Sequence, residues 1–382
     1  MIRNVLFFQI YSVDPIKGGV ARVCYNLAEG FKNRGLNVYS LSLDNKNYNA
    51  FSACYTLPDG NSVSKTNTNY LEAICKRLNI DVIINAYPNE GWTSKLLQTL
   101  KGKVIIISHY HNSPFNLNSH VGFLDIKQLS DIKWIKVLAF YIQRYRHKQD
   151  NHLMMEVCDK MVLLSNAFED EINSLVKFPN EKLIAIPNPI LPLEGCTNNS
   201  VVAEKENVLL FVGRVSEKQK RIHSLLNIWA SLYKHLPDWR LEIVGGGDEL
   251  DYWEKQAAMM GLERYSFEGF TDPNDYYDRA KILLMTSNYE GFPMVLVEAM
   301  QHGCIPFAFN SYASLHDIID DGENGFTVQP FNEQEYADKI LNLINTPNKM
   351  NDMSFAAIKK AKKFDLCSVV DKWHDLFNEI CQ

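Results

Sequence analysis

Glu290-Gly-Phe-Pro-Met-Val-Leu-Val-Glu298 is the stretch that decides how this chain reads. It follows the apolar run Ile282-Leu-Leu-Met285 and the polar Thr-Ser-Asn-Tyr, so Glu290 is expected in a loop just beyond a strand. Pro293 suits the first turn of a helix, where its missing N–H is not needed. Gly303 suits the position just past the helix end. Glu298 then lies inside a short helix among Val295, Leu296, Val297, Ala299 and Met300. A carboxylate in apolar company is costly unless something hydrogen-bonds it. The helix start behind Gly291, Phe292 and Pro293 offers free backbone N–H groups to an anion. One acid in the loop, one in the helix and N–H groups between them suit a sugar nucleotide. The helix start would meet the diphosphate, a carboxylate would grip two vicinal hydroxyls, and the backbone of Gly291, Phe292, Pro293, Met294 and Val295 would cover phosphate and sugar.

Around this motif, short apolar runs alternate with helical patterns. Residues 208–212, 241–244, 282–285, 305–309 and 326–328 read as strands, with helices at 223–235, 250–260 and 294–302. The first half repeats the plan: strands at 5–10, 38–43, 82–84, 104–107 and 161–164, helices at 20–34, 70–78 and 91–100. Continuous apolar strands alternating with helices predict parallel sheets covered on both faces. At 382 residues two domains are expected. The breaker-rich Leu191-Pro-Leu-Glu-Gly-Cys-Thr-Asn-Asn-Ser200 places the join. The expected division is 1–190, a linker at 191–205, 206–364, and a terminal helix within 365–382. That helix carries the apolar stripe Val369, Trp373, Leu376 and Phe377. Ligands of open α/β sheets bind at the C-terminal strand ends, and the motifs fall there.

Arg214 follows the strand 208–212 and a glycine, and Lys220 comes six residues later. Two cations at a strand end could neutralise a departing diphosphate, with Arg gripping phosphate in a fork. Lys218 and Arg221 in the same loop allow a plain solvated basic segment instead. Gly18-Gly19 opens the first helix and would let backbone N–H groups approach a phosphate or acceptor. Val244-Gly-Gly-Gly-Asp248 ends a strand, so Gly245 and Gly246 are expected to line a nucleotide pocket. The turn Glu268-Gly-Phe-Thr271, with Phe270, is expected to contact the base, mainly through its backbone. Both segments also serve as ordinary strand-to-helix turns. His109 and His111 close the strand 104–107, and the pattern does not decide how their side chains are disposed. A metal is not expected, because no third ligand is spaced suitably and no D-x-D follows a strand.

The E-x7-E spacing resembles that of retaining glycosyltransferase family 4. The resemblance is widest over 208–328, through Val212-Gly-Arg-Val-Ser-Glu-Lys-Gln-Lys220, Val244-Gly-Gly-Gly-Asp248 and Asp321-Gly-Glu-Asn-Gly325. It is looser in the first half, through Gly18-Gly19-Val20 and His109-Tyr-His-Asn112. It implies a GT-B fold: two Rossmann-like parallel-sheet domains facing a central cleft, with the C-terminal helix crossing back to the first. The resemblance implies that Arg214 and Lys220 touch the diphosphate, Glu290 the donor sugar's hydroxyls and Glu298 the ribose. It implies a histidine near the reacting sugar, His111 first and His109 second, with Asn112 beside it. It also implies a nucleotide-diphosphate sugar as donor, UDP before GDP, and a glycan or lipid-linked acceptor from surface polysaccharide or lipopolysaccharide assembly. No metal or other cofactor is implied.

The remaining features narrow the class. A net charge of −6 argues against general nucleic-acid binding. Eight scattered cysteines without C-x-x-C pairs suggest a reducing cytoplasm. Residues 5–8 are too short an apolar block for a secretory signal, and no run approaches the ~20 residues of a membrane span. Residues 126–148 hold Lys127, Lys133, Lys136, Arg144, Arg146 and Lys148 against Asp131, interleaved with Trp134, Phe140, Tyr141 and Tyr145. Such a helix could lie on the anionic cytoplasmic face of a membrane, or be a core helix with a cationic outer face. The rival readings are a sugar-nucleotide epimerase on the same architecture and a silent glycan-binding subunit. A dehydrogenase is disfavoured by the missing G-x-G-x-x-G.

Overall fold

The computed structural model describes residues 2–11, 14, 18–44, 46–114, 133–177, 179–193 and 205–381; the side chains of 133–141, 143 and 144 lie outside that description. The chain divides into two compact units, Met1–Pro189 with Leu366–Gln382, and Ile190–Asp365. Most of the expected linker, 194–204, lies outside the described residues.

The first unit holds seven strands: β1 (Asn4–Phe8), β2 (Asn37–Ser42), β3 (Ala53–Thr56), β4 (Val82–Asn85), β5 (Ile105–His109), β6 (Lys160–Leu163) and β7 (Leu183–Ala185). They lie in the order β3-β2-β1-β4-β5-β6-β7, every pair parallel. Val5, Phe7, Val82, Ile84, Ile107 and Val162 point to one face, as a period of two requires. That face is covered by helix Gly19–Asn33 and by helix Leu366–Ile380, whose Val369, Val370, Trp373, Leu376 and Phe377 are all buried there. The apolar stripe of the terminal helix thus completes the N-terminal core.

The second unit holds β8 (Glu206–Val212), β9 (Arg240–Val244), β10 (Tyr265–Gly269), β11 (Ala280–Met285), β12 (Ile305–Phe309) and β13 (Phe326–Val328). Their order is β10-β9-β8-β11-β12-β13, again wholly parallel. In both units the strand order reverses beside the first strand, between β1 and β4 and between β8 and β11. This is the doubly wound arrangement, and it opens a crevice at the C-terminal strand ends. The second core packs Trp229, Phe307, Tyr336 and Ile340 between the sheet and helices Ile222–Leu232 and Glu333–Ile344.

Three strands go beyond the sequence reading: β3, β7 and β10. Each is an edge strand without full burial: Ser266 and Glu268 interrupt β10, Thr56 ends the four-residue β3, and β7, though apolar, is only three residues long. Helices Phe168–Leu175, Asn274–Arg279, Glu333–Ile344 and Pro347–Ala361 were likewise not anticipated. β5 extends through His109 rather than stopping at 107. Seven cysteines are free, and Cys196 lies outside the described residues. No helix among the described residues is long and apolar enough to cross a membrane.

Candidate active site

In the second unit the motif residues converge at the crevice between β8 and β11. Pro293 sits one place earlier than expected, as N-cap of helix Met294–Gln301, and Gly303 follows the helix at φ +79°. Ser314 Oγ donates to Gly291 O at 2.6 Å, pinning the loop that carries Glu290. Beside it the Tyr312 hydroxyl is pushed well above its usual range by burial and by the Glu290 carboxylate.

Opposite, the chain leaves β8 through Gly213 and forms the short helix Glu217–Lys220. Thr286 Oγ1 donates to Lys220 O at 2.7 Å and Asn288 N–H to Gln219 O at 2.7 Å, tying this turn to the loop after β11. The result is an ion pair. Lys220 Nζ donates to Glu290 Oε1 at 2.7 Å, with both side chains about nine-tenths buried. Gln219 Nε2 reaches Glu290 Oε2 at 3.5 Å. Lys218 is exposed, and Arg221 lies over the Phe331 ring, so of the loop's three cations beyond Arg214 it is Lys220 that faces Glu290. Arg214 is exposed, with no hydrogen-bond or ion-pair partner among the described residues.

The glycine turns are laced together. Gly213 N–H donates to Val244 O, Val215 N–H to Gly246 O, and Gly245 N–H to Gly269 O. A Cβ on Gly245 would fall 1.8 Å from Gly213 O, so only glycine allows these strand ends to close up. Gly246 faces Phe270, which is 82% exposed although it is a large aromatic residue. Glu298, half-buried on its helix, accepts a hydrogen bond from the Tyr277 hydroxyl at 3.1 Å. No spacing in the sequence announced Tyr277.

In the first unit His109 and His111 stand at the end of β5. Residues two apart in extended backbone point to the same side, and the rings lie in contact, centroids 3.9 Å apart. His109 also packs edge-on against Trp373 of the terminal helix at 5.2 Å. Burial drives His109 well below the usual imidazole range, with His111 adding to the effect. Burial takes His111 down to about 3, against a small opposing pull from Asn188. That amide makes no well-aligned bond, since the ring nitrogens of both histidines and Asn188 Oδ1 lack partners among the described residues. Asn112 is half-buried just beyond. Gly18 and Gly19 are exposed at the start of helix Gly19–Asn33, with open space where a Cβ would stand. Gly18 has an extended backbone, so space rather than a left-handed turn is what it provides.

Of the basic stretch, Lys127 and Asp131 lie outside the described residues, as do the side chains of Lys133, Trp134, Lys136, Phe140, Tyr141 and Arg144. The helix itself runs Lys133–Val157, and Tyr145, Arg146 and Lys148 are exposed on it. Among the described residues no three His, Cys, Asp or Glu side chains converge as a metal site would require.

Residues 17–191 match Glycosyltransferase Family 4, and residues 197–360 match Glycosyl transferases group 1. The chain belongs to glycosyltransferase family 4. An uncharacterized glycosyltransferase of Haemophilus influenzae is 30% identical over 58% of this chain and 62% of that protein. The poly(glycerol-phosphate) alpha-glucosyltransferase of Bacillus subtilis is 24% identical over 59% of this chain and 34% of that protein. The amylovoran biosynthesis glycosyltransferase of Erwinia amylovora is 26% identical over 58% and 63%. The chain thus spans between a third and just under two thirds of these relatives. Among solved structures, Anabaena HepE in complex with UDP-glucose matches with a TM-score of 0.76 at 16% identity, covering 98% of this chain and 99% of that one. The lipopolysaccharide outer core galactosyltransferase WaaB matches with a TM-score of 0.70 at 17% identity, covering 99% and 100%. Both likenesses establish the GT-B fold.

Proposed function

We propose that this family 4 member is a retaining hexosyltransferase, moving a sugar from a UDP-sugar to a hydroxyl of a glycan or lipid-linked acceptor in surface-polymer synthesis. The observation that carries the reading is the buried Lys220–Glu290 pair at the crevice of the second sheet. An ammonium has three donors, so Lys220 can bridge Glu290 and a phosphate oxygen while Glu290 grips sugar hydroxyls. Arg214, exposed and unpartnered, is available to the diphosphate, and in this reading the first N–H groups of helix Met294–Gln301 meet it as well. In this reading Glu298 holds the ribose, Phe270 stacks on the base, and Gly245 and Gly246 let the nucleotide approach the backbone. The bond from sugar C1 to the diphosphate oxygen breaks as the acceptor oxygen bonds C1 on the same face. The acceptor's proton passes to the departing phosphate. Neutralisation falls to the chain's own cations, so EDTA should leave turnover unchanged.

His111, with His109 second, lies on the first unit as a neutral group for sugar or acceptor hydroxyls, near Asn112; Gly18 and Gly19 open that side to the ligand. The relatives' names point to surface polymers, and HepE's UDP-glucose makes UDP the first base to try. A panel of UDP- and GDP-sugars tests the core claim by thermal shift. A donor at 100 times its Kd stabilises the native state by about 2.7 kcal/mol. Phe270→Ala should weaken UDP binding roughly tenfold while leaving Tm unchanged, as an exposed ring has little packing to lose. If no nucleotide sugar raises Tm, the proposal fails. Peripheral membrane contact through Tyr145, Arg146 and Lys148 predicts sedimentation with phosphatidylglycerol vesicles and not with phosphatidylcholine; equal recovery with both removes it.

A further inference from the structure

We infer that Tyr277 is a positioning residue that sets the nucleotide's preference for ribose, acting through Glu298; this rests on Glu298 holding the ribose as proposed above. Tyr277 lies in helix Asn274–Arg279 and is 1% exposed, and its hydroxyl donates to Glu298 Oε2 at 3.1 Å. The residue is fixed at its other end too. Its carbonyl accepts from Lys205 Nζ at 2.6 Å and from Cys304 Sγ at 3.1 Å. Its ring packs on His302 at 5.4 Å, and His302 Nδ1 is in turn 2.7 Å from Asp278 Oδ1.

A tyrosine held at backbone, ring and hydroxyl cannot swing. Its hydroxyl therefore limits the rotamers of Glu298, whose flexible side chain would otherwise sample several. A carboxylate has room for about four hydrogen bonds, so a donor from behind is compatible with a vicinal diol in front. Aligning a carboxylate before the ligand arrives raises affinity for the ligand that uses it. A ligand without the diol gains nothing from that alignment. The consequence is a selectivity effect, which a merely structural hydroxyl would not produce.

The test measures UDP and 2′,3′-dideoxy-UDP binding by calorimetry to the wild type, Tyr277→Phe and Glu298→Gln. Phe keeps the ring against His302 and removes the hydroxyl alone. The expected result is a three- to tenfold weaker Kd for UDP in Tyr277→Phe, with the dideoxy compound unaffected. Glu298→Gln should lose most of the discrimination. Unchanged dideoxy binding also reports an intact fold, since a misfolded variant loses both ligands. If Glu298→Gln erases the ribose preference and Tyr277→Phe keeps it in full, Tyr277 only buttresses two helices and the inference is overturned. If the wild type does not distinguish the two nucleotides, or Glu298→Gln still does, the ribose role of Glu298 is what fails, and the inference falls with it.

Discussion

Lys220→Met is expected to cut sugar transfer by roughly 100- to 1,000-fold and to destabilise the second unit at the same time. The two effects share one cause. Lys220 and Glu290 are 10% and 11% exposed in their side chains, so each neutralises the other where water barely reaches. Removing one partner of a buried pair leaves an uncompensated charge, at about 3–5 kcal/mol. Gln219 Nε2, at 3.5 Å from Glu290 Oε2, is too distant to substitute well. For a unit of this size each kcal/mol moves Tm by about 2–4 °C, so a fall of at least 6 °C is expected.

The double variant Lys220→Met, Glu290→Gln separates the two consequences. It removes both charges together, and replacing a whole buried pair by neutral groups is often close to neutral for stability. Its Tm should recover most of the loss, while transfer stays absent. The coupling read from the cycle is the difference between the double variant and the sum of the singles. A Lys220→Met protein that melts like the wild type would show that Glu290 is not held in a water-poor pair. Turnover near the wild-type rate would remove Lys220 from the reaction.

Why some of this was legible in the sequence and some was not follows from how far each feature reaches along the chain. Glu290, Pro293, Glu298 and Gly303 lie within one turn-and-helix, so their spacing fixes their placement to within a residue. The apolar strands β1, β4, β8, β11 and β12 are buried on both faces and show as unbroken runs. β3, Ala53-Cys-Tyr-Thr56, is half-buried at a sheet edge and carries no such run. In the basic loop the spacing singled out Lys220, but Lys218 and Arg221 beside it left a plain solvated segment open. What separates them is tertiary: Lys220 is buried against Glu290, while Lys218 is exposed and Arg221, in a left-handed conformation at φ 50°, lies over Phe331. Tyr277 was invisible for a stronger reason. Its partner is 21 residues away, beyond β11, and a phenol among aspartates on a short helix looks like any surface tyrosine.

Acid is expected to destabilise the N-terminal unit through the histidine pair. Both folded-state pKa values lie below the unfolded value near 6.5, His111 at about 3 and His109 well below its usual range. Between those limits the unfolded chain takes up protons that the folded chain refuses. The stabilisation is complete above pH 6.5 and is lost as pH falls. At pH 5 the loss for His111 is roughly 2 kcal/mol, at 1.36 kcal/mol per pH unit, and His109 acts in the same sense. Glu90 and Asp150, whose carboxyls burial pushes up, act in the opposite sense over lower pH. They are common to both proteins in the comparison, so the difference between wild type and His109→Gln, His111→Gln isolates the imidazoles. Thermal unfolding from pH 7 to 5 should show a steep acid limb in the wild type and a shallow one in the variant. Superimposable limbs would mean that the rings titrate freely, as they do in water. A steep limb would show that the folded chain holds both rings neutral. In the function proposed above, imidazoles that stay neutral at pH 7 would serve as hydrogen-bond partners for hydroxyls rather than as a source of positive charge, and neutralising the diphosphate would be the task of Arg214 and Lys220.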